Sequence, residues 1–213
     1  MSSAISVKND QPVVLPLAQV HPLPASLAAI ASPATEGDYF DQVKPIDVGY
    51  LVWSQFPIQV YIAPPEISNA QAWLASAQQA VKDWQAYLPL QLVKAPAHAN
   101  ITIQATAPQQ RSGSRVRSAE TTYQIFVNDQ GILSQRFTVM VRPNQTPQYV
   151  LAALRHELGH ALGIWGHSPV NTDVLYFAQV RTPPPISTRD MNTLRRVYEQ
   201  PTQLGWPVTR SAD

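Results

Sequence analysis

Apolar positions change their period several times along the chain, and each change predicts an element. Pro57-Ile58-Gln59-Val60-Tyr61-Ile62 alternates apolar with polar in part, which predicts a strand. Ser68-Asn69-Ala70-Gln71 has the spacing of a capping box. Trp73, Ala77, Ala80, Trp84 and Tyr87 then recur every three or four residues until Pro89 stops the run. This is the pattern of a long amphipathic helix with an aromatic inner face, and Trp73 and Trp84 read as core packing against a sheet. Further strands are expected at residues 90–93, 100–105, 121–127 and 134–141, the last ending before Pro143. Thr146-Pro147 supplies an N-cap followed by proline at the first helical position, opening a helix that runs to about Leu162. Ser187 to Asp190 again fits Ser-x-x-acid, and Met191, Leu194, Val197 and Tyr198 give a final amphipathic helix stopped before Pro201. Strands and helices are partly segregated, so the expected class is α+β. A mixed sheet of four to five strands would carry a long first helix, a central helix and a C-terminal helix.

Residues 1–45 do not share this patterning. Up to Thr35 the only charged side chains are Lys8 and Asp10, and prolines recur at positions 12, 16, 22, 24 and 33. No period of 2 or 3.6 survives that spacing, so residues 1–45 read as a Pro-rich arm or linker before a domain over 46–213. As a signal peptide the segment is poor, because a basic start is missing and prolines interrupt any apolar stretch. No run reaches 18 apolar residues, so no transmembrane segment is expected.

Composition narrows the chemistry. With 213 residues, 45% of them hydrophobic, the chain can build one domain with a sizeable core. Only 14% are charged and the formal net charge is +1, which argues against a nucleic-acid binder that must displace counterions with a basic stripe. Arg111, Arg115 and Arg117 sit in a Ser/Gly-containing stretch and read as a solvated loop. There is no cysteine, so disulfides, thiolate zinc sites, iron–sulfur clusters and cysteine nucleophiles are all excluded. Of five histidines, His21 and His98 lie in Pro/Ala-rich stretches and read as surface residues, whereas His156, His160 and His167 share one short window.

His156-Glu157-Leu158-Gly159-His160 is an H-E-x-x-H sequence within the expected central helix. Residues four apart on a helix lie about 40° apart around its axis, so both imidazoles project from one face toward a common zinc ion. Leu151, Leu154, Leu158 and Leu162 fall about 160° to 240° away from His156, so the opposite face can be buried. Glu157 lies too far round to share the ion and is placed to act on a water beside it. Gly163 can take a left-handed conformation that ends the helix and turns the chain, returning His167 toward the pair. Three neutral imidazoles leave a fourth zinc position open, as in a catalytic site. Asp173 and Glu199 remain alternative third ligands.

The segment from His156 to Ser168, with Asp173-Val174-Leu175-Tyr176 after it, resembles the metzincin zinc peptidases, and within them a matrixin-like, bacterial-type branch in which a serine follows the third histidine. The element order over about residues 48–200 is also similar. The resemblance implies a metzincin-like zincin domain and a zinc endopeptidase with one catalytic Zn2+. Its ligands would be His156, His160 and His167, and Glu157 would be the general base. The substrate would be a protein or peptide lying extended along an edge strand, for which residues 121–127 are the candidate. Tyr176 would wall the pocket for the residue after the cut bond, and Leu175 would stand where the family places the methionine beneath the metal. The family has two residues between the glycine and the third histidine, whereas this chain has three. The cysteine switch of matrixins is absent, and Gly37-Asp38, loosely similar to the aspartate switch of other metzincins, reads better as an acidic turn. Neither a calcium loop nor a second three-histidine cage is evident. The resemblance favours an extracellular or periplasmic monomer. The other functional classes left open are an inactive zinc-binding module of the same fold and a zincin using Asp173 or Glu199.

Overall fold

The computed structural model describes residues 13–30, 37–108, 117–178, 180 and 182–210. In chain order the strands are β1 (Val13–Val14), β2 (Ile58–Ile62), β3 (Leu90–Val93), β4 (Ile101–Gln104), β5 (Ala119–Val127), β6 (Leu133–Val141) and β7 (Thr209–Arg210). The helices are α1 (Ala25–Ala28), α2 (Ala70–Gln85), α3 (Pro147–Ala161) and α4 (Thr188–Tyr198). The fold is α+β, built on one five-stranded sheet in the order β3-β2-β4-β6-β5. β3, β2, β4 and β6 run parallel to one another, and β6 returns antiparallel on β5 after the turn at Gly131, which puts β5 at the edge among the described residues.

The period-2 pattern explains how this sheet is covered. In β6, Leu133, Gln135, Phe137, Val139 and Val141 are buried, and in β4 Ile101 and Ile103 are fully enclosed. Helix α2 packs over β2 and β3, α3 packs over β5 and β6, and the two helices pack against each other. Trp73 and Trp84 are fully buried in that helical layer, and Trp84 Nε1 donates to the Arg155 carbonyl at 2.9 Å, so the aromatic face of α2 holds the middle of α3. An ion pair between Arg155 and Asp83 at 2.7 Å closes the same seam from the partly exposed side.

The caps follow the sequence in part. The box at Ser187 is formed: its side chain accepts from the Asp190 N–H while Asp190 accepts from the Ser187 N–H. The box expected at Ser68–Gln71 is not, because α2 begins one residue later, on Asn69, whose carbonyl takes the Trp73 N–H at 3.1 Å. Thr146 caps α3 without a side-chain bond, and Pro147 supplies the first helical residue.

The described part of the Pro-rich segment is tied to the body at several points. β1 pairs antiparallel with β7, and Gln19 exchanges both backbone bonds with Thr202 at 2.9 and 3.0 Å. Leu27, Tyr39 and Val43 contribute buried side chains to the common core. His21, expected at the surface, stacks on Trp206 at 4.3 Å between ring centres and bonds the Leu204 carbonyl at 2.7 Å. Lys8, Asp10, Pro12, Pro33, Arg111 and Arg115 lie outside the described residues.

Candidate metal centre

Helix α3 ends as Gly163 allows. With Gly163 at φ 129°, the Ile164 N–H reaches the Gly159 carbonyl at 3.0 Å and the Gly163 N–H reaches the His160 carbonyl at 3.1 Å. That paired arrangement satisfies carbonyls that a helix end otherwise leaves without partners. Two more are met by side chains: Trp53 Nε1 donates to Ala161 at 2.9 Å and Tyr198 Oη donates to Leu162 at 3.0 Å. A Cβ on Gly163 would sit 2.6 Å from the Leu51 carbonyl, so close approach as well as φ demands glycine there.

The turn brings His167 back to the helix. The ligand-capable atoms of His156, His160 and His167 all lie within 4.8 Å of one another, and these residues form the one such group among the described residues. Their ring centres are 4.7, 4.8 and 5.2 Å apart, a nearly equilateral triangle despite the additional residue before His167. Space at Gly166 is what permits the turn: a Cβ there would lie 2.2 Å from the Gln42 carbonyl, because the chain at 42–43 passes directly over it. The Lys44 N–H also bonds the Trp165 carbonyl at 3.2 Å.

Hydrogen bonds decide what the first two imidazoles offer. His156 Nδ1 lies 2.9 Å from the Val174 carbonyl and His160 Nδ1 lies 2.7 Å from the Ile164 carbonyl. A carbonyl only accepts, so each Nδ1 carries the proton and each Nε2 is left with a bare lone pair. Those two Nε2 atoms face each other at 3.1 Å. Two lone pairs at that separation repel unless a cation lies between them, and ~3.3 Å is the spacing expected of two nitrogens ~2.0–2.1 Å from one tetrahedral zinc. The residues present therefore fit a metal ion.

Electrostatics agree with the tautomers. Burial first, then neighbouring histidine charge, pushes His156 down to about 3 and His160 down to about 4. His167, on the exposed side, is lowered by burial and by the Arg117 guanidinium. All three are thus held neutral near pH 7, the form a metal requires. Glu157 is 8% exposed, and burial pushes its carboxyl up, against the opposing pull of His156 and of a hydrogen bond from Thr121.

A second layer holds this group in place. Asp190, fully buried in the first turn of α4, accepts from the Val174 N–H at 2.9 Å and from the Tyr39 hydroxyl at 2.5 Å. The same Val174 residue then offers its carbonyl to His156. Leu175 is fully buried beneath the helix, where its Cδ2 would lie 2.5 Å from a Cβ on Gly159. It thus forms a floor under the histidines and stands behind the cavity, not on its wall. Tyr176 does line that cavity, an open space of about 180 Å³ beside His156 and Glu157 whose other walls include Tyr149, Ala153 and Phe177.

Other candidates are placed elsewhere. The Asp173 carboxylate, fully buried, is taken up by Ser168 Oγ, by Ser187 Oγ at 2.8 Å and by Arg189 Nε at 3.1 Å. Its role is to pin the loop after His167, so it is not a third ligand. Glu199 pairs with Arg195 at 3.0 Å on the outer side of α4 and is likewise no ligand. Asp38 is bound by both carboxylate oxygens to Arg196 at 2.9 Å, which fixes it as a clasp between the N-terminal segment and α4. Sequence pattern marks Thr121 as the start of the candidate edge strand and Asp190 as half of a capping box, and shows neither of these contacts. Nothing in a linear pattern pointed to Tyr39, which reaches Asp190 across 151 residues.

No protein-family model matches this chain, and no curated protein matches it. Among solved structures it is similar to archaemetzincin from Methanopyrus kandleri, with 16% identity, a TM-score of 0.42, and coverage of 65% of this chain and 93% of that one.

Proposed function

We propose that this chain is a zinc-dependent endopeptidase of the metzincin type, with one Zn2+ held by His156, His160 and His167. The observation that carries the reading is the pair of bare Nε2 atoms 3.1 Å apart, each with its Nδ1 proton committed to a backbone carbonyl, beside a third imidazole and a buried glutamate. Bound there, zinc would supply Lewis acidity and a water made acidic near neutral pH.

The chain's own groups supply the rest. Glu157 takes a proton from the attacking water and returns it to the leaving amine. Its enclosure raises the carboxyl above its ordinary value, which makes the carboxylate a better acceptor for that proton. Among the described residues β5 stands at the edge of the sheet, and an extended peptide would pair along it. The cavity beside His156 would take the side chain following the cut bond, with Tyr149, Tyr176 and Phe177 among its walls and the polar Ser118 and Gln145 beside them.

The test is direct. Purified chain loaded with one equivalent of zinc is expected to cleave casein or gelatin and to lose that activity in EDTA. Glu157→Gln is expected to keep its zinc and to lose ~10²–10⁴-fold in kcat. A Glu157→Gln protein as active as the parent refutes the general-base role, and a parent that binds zinc but cleaves no peptide in a mixed library refutes the peptidase reading.

A further inference from the structure

We infer that Thr121 is a positioning residue for Glu157, locking the glutamate side chain through one hydroxyl placed between its carboxylate and its own backbone carbonyl. This rests on the general-base role proposed above.

Thr121 lies on β5, opposite Val139 of β6, on the side of the strand that meets α3. In β5, Thr121 and Ile125 are buried while Gln124 is exposed, so the strand's inward face meets the helix there. From that face Thr121 Oγ1 lies 2.6 Å from Glu157 Oε2 and 3.0 Å from the Glu157 carbonyl. Both residues are 8% exposed. A glutamate on a helix surface has three soft torsions and spreads over many rotamers. Here one oxygen is tied to the sheet, so the torsions are fixed and the second oxygen is the one left for the cleft.

The hydroxyl suits either form of the glutamate. It donates to Oε2 when the group is a carboxylate. When the carboxyl carries a proton on its cleft-facing oxygen, Oε2 is a carbonyl oxygen and still accepts from the hydroxyl. The bond therefore persists while the proton arrives and leaves. The β-branched shape also matters: a strand favours threonine sterically, and valine reproduces that shape without the hydroxyl. A sheet strand and the metal-bearing helix are thereby joined at the reacting glutamate itself.

The experiment compares zinc-loaded parent, Thr121→Val, Thr121→Ser, Glu157→Gln and the double variant Thr121→Val/Glu157→Gln. Thr121→Val is expected to lower kcat by about 10- to 100-fold with KM within about twofold, at unchanged zinc content. Thr121→Ser is expected to recover most of that loss. The double variant is expected to be no slower than Glu157→Gln alone, since Thr121 acts through that carboxylate. Crystal structures of parent and Thr121→Val are expected to show the Glu157 carboxylate displaced in the variant. A Thr121→Val enzyme with parental kcat and an unmoved carboxylate overturns the inference, as does a further loss in the double variant. If valine unfolds the chain, alanine against serine at the same position decides, with equal kcat overturning the inference. If the zinc-loaded parent hydrolyses no peptide, the peptidase reading falls by itself. The carboxylate position in Thr121→Val still tests the lock.

Discussion

Asp190→Ala should unfasten the metal centre from a distance. Asp190 touches none of the three histidines, yet it accepts from the Val174 N–H at 2.9 Å, the Ser187 N–H at 2.8 Å and the Tyr39 hydroxyl at 2.5 Å while fully buried. Burial pushes its carboxyl up, and the bonds from Tyr39, Ser187 and Val174 pull it back down. Alanine leaves these donors, the Val174 N–H and the Tyr39 hydroxyl buried and the Ser187 N–H partly so, without this acceptor. Each such donor is worth ~1–3 kcal/mol, and because they share one carboxylate the losses do not add fully, so ~3–5 kcal/mol is expected. At ~2–4 °C per kcal/mol for a domain of this size, the Tm of the metal-free protein falls by about 6–20 °C. The turn at Val174 also carries the carbonyl that orients His156, so zinc affinity should fall ~10–100-fold, the usual effect of losing an outer partner of a ligand. Calorimetry in EDTA gives the first quantity, and competition with a chromophoric chelator gives the second. Tyr39→Phe removes a single donor and should show a fraction of both effects. A protein that melts within about 2 °C of the parent and binds zinc equally well would refute the claim that α4 holds the ligand turn.

Other expectations follow from the same contacts. Gly166→Ala places a Cβ 2.2 Å from the Gln42 carbonyl, so the turn must shift; a loss of ~2–4 kcal/mol with weaker zinc binding is expected by melting and chelator competition, and an unperturbed variant would contradict the close approach. Leu175→Met conserves volume in the floor beneath α3, so a change under ~1.5 kcal/mol with retained zinc is expected, and a collapse in Tm would show a tighter fit than the burial implies. In metal-free protein, His156 at about 3 and His160 at about 4 lie below the ordinary value of 6.5. As pH falls below about 6.5 the unfolded chain takes up protons that the folded chain refuses. Stability is therefore fully present above that pH and declines toward pH 4, by about 1.4 kcal/mol per unit for each histidine. Urea midpoints of EDTA-treated protein between pH 7 and pH 5 measure this, and a flat midpoint would refute it.

What the sequence disclosed and what it hid divide by the range of the interaction. The strands at 58–62, 90–93 and 133–141, the helix carrying both histidines and the glycine that ends it are each governed by neighbours within a few residues, so periodicity and capping expose them. His167 was legible because the helix end lies only four residues before it. Ser68 shows the limit of that reasoning: its spacing fits a box, but Asn69 takes the N-cap position. The function of Asp173 was hidden because its carboxylate is consumed by Ser168, Ser187 and Arg189, the last two on or beside a helix that comes later. Thr121 and Glu157 meet only once a strand and a helix have packed, and Tyr39 meets Asp190 only once both ends of the chain have come together. Contacts of that kind leave no periodic trace.

The segment at 37–44 therefore has a bearing on the order in which the molecule can be completed. Asp38 waits for Arg196, 158 residues later, and the Tyr39 N–H waits for Thr193, 154 residues later. During synthesis this segment is made well before its partners on α4 and is among the last to find its seat, since loop closure over such distances is slow relative to local pairing. Its Gln42 carbonyl then settles over Gly166, beside the last of the three histidines. High-affinity zinc uptake should accordingly lag behind sheet and helix formation. The metal would then act as a reporter of finished folding rather than as a seed for it.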